Sequence, residues 1–114
     1  MKNILITGAS QGLGADMAKL LAGDGVRIFV NCAHSIAKAQ AVVEEIAASG
    51  GTAEVLQGDV SNPGIVDDMF GKLESYGGAD VLINNARVDP YKRPVEMNDA
   101  EWFDRVIGVN LKGP

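Results

Sequence analysis

The sequence predicts an α/β protein, a parallel sheet wound on both faces by helices and partial in extent, with about four strands. Three observations predict it. Short apolar runs alternate with stretches of helical periodicity along the chain. A glycine-rich turn, Gly8-Ala9-Ser10-Gln11-Gly12-Leu13-Gly14, joins the first apolar run to the first helical stretch. The composition, 46% hydrophobic and 22% charged over 114 residues, is that of one globular domain.

Taken in order, Ile4-Leu5-Ile6 is a buried strand that ends at Thr7-Gly8. From Leu13 the apolar residues recur at Met17, Leu20 and Leu21, a helical spacing, and Gly23 and Gly25 end that helix. Val26 to Val30 is β-branched and aromatic, a second strand. Ser35 is placed to cap the next helix, with Val42, Val43 and Ile46 on one face and Ser49-Gly50-Gly51 as its stop. Ala53 to Leu56 is a third strand. Pro63 suits the first turn of a helix capped by Ser61 or Asn62, with Ile65, Met69, Phe70 and Leu73 inward. Tyr76-Gly77-Gly78 breaks it, and Val81-Leu82-Ile83 is a fourth strand. After Pro90 and Pro94, Asn98-x-x-Glu101 reads as a capping box that opens a helix carrying Trp102, Phe103, Val106 and Ile107. Alternation of this kind implies right-handed crossovers and a single domain over residues 1–114, with no internal repeat.

Bulk properties exclude several classes. The formal net charge of −5 provides no basic surplus for nucleic acid. A local anion site remains open, because backbone amides build one without net charge. No apolar run approaches the ~20 residues that span a membrane, and the N-terminus has no signal-peptide pattern. The single cysteine, Cys32, rules out an internal disulfide and reads as a small buried thiol, with a reducing cytoplasm as the expected compartment. No metal site is expected.

The glycine-rich turn has the spacing G-x-x-x-G-x-G. Gly8 permits a tight exit from the strand, Gly12 a close approach of backbone to a pyrophosphate, and Gly14 close packing of helix on sheet. The amides of Gly12, Leu13 and Gly14 would face the anion from a helix N-terminus, with Ser10 as an added donor. No Gly-Lys-Ser/Thr follows, so the turn is not a P-loop.

Thr7 to Gly14 resembles the T-G-x-x-x-G-x-G signature of the short-chain dehydrogenase/reductase family. Further motifs follow in order. Asp59-Val60 is similar to the family's D-V pair, Asn84-Asn85-Ala86 to the first three residues of N-N-A-G, and Val109-Asn110-Leu111-Lys112-Gly113 to the segment with its active-site asparagine. The general likeness is to enzymes of the 3-oxoacyl-acyl-carrier-protein reductase type. It implies a Rossmann-type fold, of which residues 1–114 are the dinucleotide-binding half. It also implies an NAD(P)-dependent oxidoreductase that reduces a carbonyl or oxidises an alcohol, and an oligomer.

The resemblance implies roles residue by residue. Asp59 accepts a hydrogen bond from the adenine, and the Val60 backbone meets the ring. Asn85 and Ala86 lie under the ribose, and Asn110 helps hold a water in the proton relay. Arg87 stands where the family has glycine, and an outward-pointing side chain is expected. At the end of the second strand, Asn31-Cys32-Ala33-His34-Ser35 lacks the carboxylate that binds an NAD ribose. Asn31, His34 and Ser35 are instead potential donors to a 2′-phosphate, although no arginine is near. Gln11 occupies a position that is often basic in NADP-preferring relatives. The balance leans to NADP(H) over NAD(H).

The family's general acid is a tyrosine in Y-x-x-x-K, with a serine on the preceding strand. Tyr76 is followed by Gly77-Gly78-Ala79-Asp80 and Tyr91 by Lys92-Arg93-Pro94-Val95, so neither has the lysine. Three expectations follow: the N-terminal part of a longer enzyme, a non-catalytic dinucleotide-binding module, or a self-associating structural fragment. With strand order 3-2-1-4, the fourth strand is an apolar edge open to pairing with another chain.

Overall fold

A computed structural model describes residues 1–86 of the chain. Seven elements follow one another: β1 (Lys2–Ile6), α1 (Gly12–Leu21), β2 (Val26–Cys32), α2 (Ile36–Ala48), β3 (Thr52–Gln57), α3 (Pro63–Glu74) and β4 (Val81–Ile83). The expected capping box, Trp102, Phe103, Asn110 and Arg87 lie outside the described residues.

The four strands form one sheet in the order β3-β2-β1-β4, and every pairing is parallel. Ile4 is aligned with Ile28 on one side and with Val81 on the other. The side chains of β1 and β2 alternate between two cores, as strand geometry requires. Ile4, Ile6, Ile28, Val30 and Cys32 pack under α1 and α2 with Ala15, Ala18, Ala39, Val42 and Ile46. Leu5 and Phe29 face the other way and pack with Leu56 and with Met69 and Leu73 of α3. Both faces of the central strands are therefore covered, which is why their sequences are apolar almost throughout. Each of these fully buried large side chains contributes about 1.5–3 kcal/mol. The doubly wound Rossmann-type arrangement is the one expected.

Two expectations change in detail. The leucines of α1 do not face the sheet: Leu13, Leu20 and Leu21 are exposed, the buried face is Gly14, Ala15 and Ala18, and of the apolar residues expected inward Met17 alone packs against the core. Small residues let this helix approach the sheet closely, so the wide leucines turn outward. In α3, Met69 and Leu73 are buried as expected, while Phe70 is 38% exposed. The caps also separate. Asn62 caps α3, its Oδ1 accepting from the amides of Gly64 (3.0 Å) and Ile65 (3.3 Å), with Pro63 just inside. Ser35 stands at the N-cap of α2 but makes no side-chain cap bond.

At the amino-terminal end of the sheet, Asn3 fastens the turn before β4. Its Nδ2 donates to the carbonyls of Tyr76 and Gly78, both at 2.8 Å. Tyr76 packs edge-on against Phe29 (5.2 Å between centroids) and beneath the Arg27 guanidinium (4.7 Å). The opposite, carboxyl end of the strands is left open by these contacts. Among the described residues, β4 pairs only with β1, and no helix is long and apolar enough to cross a membrane.

Candidate dinucleotide site

In open α/β sheets ligands bind at the carboxyl ends of the strands, where the strand order reverses. Here that point lies between β1 and β4. A cleft of about 610 Å³ opens there, within the range of small-ligand and cofactor sites. It is lined by the loop after β1 (Gly8, Ser10, Gln11, Gly12, Leu13), the end of β2 and its exit (Asn31, Ala33, His34, Ser35), the exit of β3 (Gly58, Asp59, Val60) and the exit of β4 (Asn84, Asn85, Ala86). Gly14 lies in the first turn of α1, directly behind the loop. The structure thus brings together every described residue that the sequence assigned to the cofactor.

The loop after β1 is held in a shape that requires its glycines. Gly8 has φ +62°, and a Cβ on it would lie 2.8 Å from Cα of Ala86. Gly12 has φ +60°, and a Cβ there would meet nothing, because this residue faces the open cleft. Gly14 is confined by its neighbours: a Cβ would lie 2.5 Å from Asn85 Nδ2 and 2.6 Å from the Gly8 carbonyl. Ala15 donates the first bond into α1, to the Gln11 carbonyl. As at any helix start, the amides of the first turn have no intrahelical acceptor and carry the positive end of the helix dipole. No acidic side chain sits in that turn. A cradle of this kind suits a pyrophosphate.

Thr7, quoted in the sequence as part of the signature but given no role there, organises the β4 side. Its Oγ1 accepts from the amides of Asn85 (2.9 Å) and Ala86 (3.0 Å). Asn85 Nδ2 in turn donates to the Gly8 carbonyl at 3.1 Å. The Asn85 side chain thereby ties the exit of β4 to the glycine loop.

Asn31 requires a correction. The sequence suggested a donor to a 2′-phosphate, but its side chain is buried (2% exposed) and fully engaged. Its Nδ2 donates to the carbonyls of Leu56 (3.0 Å) and Gly58 (3.1 Å), while Oδ1 accepts from the Gly8 amide (3.0 Å). Its main-chain carbonyl also accepts from Ala9 at 2.8 Å. Asn31 therefore braces the loops after β1 and β3 against each other, and both of its amide hydrogens are already used.

Asp59 holds the start of the next turn. Its Oδ1 accepts from the Ser61 amide (2.9 Å) and hydroxyl (2.7 Å). Among the described lining residues it is the one carboxylate. His34 is exposed beside the exit of β2. Cys32 is buried, and burial pushes its thiol pKa up, as expected of an inert structural cysteine. Lys38, given no role in the sequence, reaches a residue of the cleft wall: its Nζ donates to Gln11 Oε1 at 2.8 Å. An exposed helical lysine gives no sequence signal of such a placement.

The family model for short chain dehydrogenases matches residues 2–114. The 3-oxoacyl-[acyl-carrier-protein] reductase FabG of Staphylococcus epidermidis is 42% identical over 113 residues, covering 98% of this chain and 46% of that protein. The 3beta-hydroxysteroid dehydrogenase 1 of Eggerthella lenta is 36% identical over 113 residues, covering 98% of this chain and 43% of that protein. Among solved structures, a metagenomic short-chain oxidoreductase in complex with NADP superposes with a TM-score of 0.86 at 39% identity, covering 99% of this chain and 51% of that one. The chain thus spans about half the length of the relatives it matches.

Proposed function

The chain belongs to the short-chain dehydrogenase family, and from that premise we propose that it is the cofactor-binding part of an NAD(P)-dependent oxidoreductase acting on a carbonyl or alcohol, with NADP(H) preferred over NAD(H). The observation that carries this reading is the cleft itself. A glycine cradle and a helix N-terminus form one wall, and the exits of β2, β3 and β4 form the others.

Several lining residues have a task in this reading. The amides of Gly12, Leu13 and Gly14 hold the pyrophosphate, with the Ser10 hydroxyl and Gln11 at its flank. Asp59 and the Val60 backbone take the adenine. The backbone at Asn85 and Ala86 supports a ribose, and Asn31 acts by bracing the loops. Asn110, outside the described residues, is assigned to the proton relay. A nicotinamide dinucleotide, when bound, supplies hydride transfer. The protein's part is to fix the cofactor along the strand ends. The relatives' printed activities, on a 3-oxoacyl carrier protein and on a hydroxysteroid, share only the carbonyl–alcohol pair, so the substrate class is kept at that.

A second reading is a dinucleotide-binding module with no turnover of its own. Titration with NADPH and NADH, followed by nicotinamide fluorescence, tests the binding common to both readings. Saturable binding with NADPH the tighter ligand is expected, and a folded chain that binds neither would refute the proposal. Oxidation of bound NADPH by a ketone then separates enzyme from module.

Self-association belongs to the same proposal. Val81 and Leu82 are 37% and 43% exposed on β4, an edge strand among the described residues, the kind of surface that invites pairing. Sedimentation at high concentration should show a dimer that Leu82→Lys weakens. A monomer at all concentrations would refute it.

A further inference from the structure

We propose that Lys38, reaching across from the first turn of α2 to Gln11, is the side chain that reads the 2′-phosphate of NADP(H) and so sets cofactor preference. This rests on the dinucleotide reading above and assigns to it a specificity-determining residue.

Geometry places the ammonium against a residue of the cleft wall. Lys38 Nζ lies 2.8 Å from Gln11 Oε1, and Gln11 lines the cleft beside the glycine cradle. Ala33, His34 and Ser35, between β2 and α2, line the adjoining wall. In folds of this type the ribose 2′ position is read at the end of the second strand, by a carboxylate for a hydroxyl and by a cation for a phosphate. The ammonium therefore bridges the two segments that flank that position. It also brings positive charge to the place where Gln11 itself has none.

Charge supports the same assignment. Two lysines stand on α1 and α2 with different partners. Lys19 pairs with Glu45 at 2.9 Å. Lys38 has an amide oxygen, and among the described residues no carboxylate partner. No acidic residue lies in the first turn of α2. A neutral acceptor holds the ammonium in position without cancelling its charge. Because Gln11 Oε1 is occupied by Lys38, the Nε2 hydrogens remain to donate to an anion beside it. Asn31 cannot serve, since both of its amide hydrogens are on carbonyls. A 2′-phosphate gains a charge-assisted bond here, and the 2′-hydroxyl of NAD(H) gains little.

The test compares dissociation constants of NADP+ and NAD+ for the unaltered chain, Lys38→Met and Lys38→Arg at low and moderate salt. The expected result is an NADP+ preference in the unaltered chain that falls about tenfold in Lys38→Met, persists in Lys38→Arg and shrinks with ionic strength. If both dinucleotides bind and Lys38→Met leaves their ratio unchanged, or weakens both equally, the inference is overturned while the dinucleotide reading stands. If a folded, unaltered chain binds neither, the dinucleotide reading fails and this inference falls with it.

Discussion

The Gly8 amide donates to Asn31 Oδ1 at 3.0 Å, joining the first loop of the cleft to the end of β2 across 23 residues of sequence. At its other end the same side chain holds the carbonyls of Leu56 and Gly58. Three backbone groups depend on one buried amide. Asn31→Asp would set a carboxylate against two carbonyls and should destabilise the chain by at least about 3 kcal/mol. Asn31→Ala leaves the same groups unpaired without adding charge, and should cost less, about 2 kcal/mol. Urea unfolding of the three proteins checks the order. An Asp variant as stable as the Ala variant would show that a carboxylate facing the two carbonyls adds no cost, and an Ala variant as stable as the unaltered chain would show that the amide hydrogens are not needed.

Thr7 plays the matching part on the β4 side, where its hydroxyl oxygen accepts from two successive amides. Thr7→Val keeps the shape and removes the acceptor. A loss of about 1–3 kcal/mol is expected, with faster hydrogen exchange at the amides of Asn85 and Ala86. Thr7→Ser retains the oxygen and should protect both amides nearly as well. Unchanged exchange in Thr7→Val would mean that those amides find another acceptor.

The glycines separate by cause. At Gly14 an added methyl meets the Gly8 carbonyl and Ala9 Cα at 2.6 and 2.9 Å, both backbone atoms that cannot swing aside. At Gly12 nothing obstructs it, and only the positive φ resists. Gly12→Ala should cost about 1–2 kcal/mol from the left-handed backbone alone. Gly14→Ala should cost more, because α1 must lift from the sheet. Thermal melts give the comparison, and the reverse order would contradict the packing described.

Much of this was legible in the sequence because two kinds of signal were unambiguous there. Apolar runs separated by helical periodicity gave the strands and crossovers, and the Gly8–Gly14 spacing placed the cradle. Pro63 after Asn62 marked the start of α3. Other features were hidden for physical reasons. Helical periodicity in α1 has two candidate stripes, and the leucine stripe looked the better core. The helix instead sits too close to the sheet for leucine and buries Gly14, Ala15 and Ala18. Asn31 lies near the end of a strand covered on both faces, so a polar residue there gave no hint of its direction. Lys38 is one exposed lysine among several, and only the fold brings it to Gln11.

Cys32 gives a prediction of pH dependence. It lies on β2 among Val30, Ala39 and Val42, and its thiol pKa is raised by burial. The neutral thiol is therefore favoured in the folded chain, and an aromatic disulfide reagent at neutral pH should label it only as fast as the protein opens. The same shift links ionisation to stability. In the unfolded chain the thiol ionises near its ordinary value of about 8.5, whereas in the folded chain it holds its proton to higher pH. At alkaline pH the unfolded state thus binds fewer protons, and stability falls as pH rises. The contribution is whole below the unfolded value and is lost as pH climbs through the raised folded value. Cys32→Ala should flatten this alkaline decline, although it also leaves a small cavity that lowers stability at every pH. Unfolding midpoints measured from pH 7 upward distinguish the two effects, since the cavity shifts the curve and the thiol changes its slope. Rapid labelling of the native protein, or an identical slope in Cys32→Ala, would show that the thiol is more open to water than its packing on β2 implies.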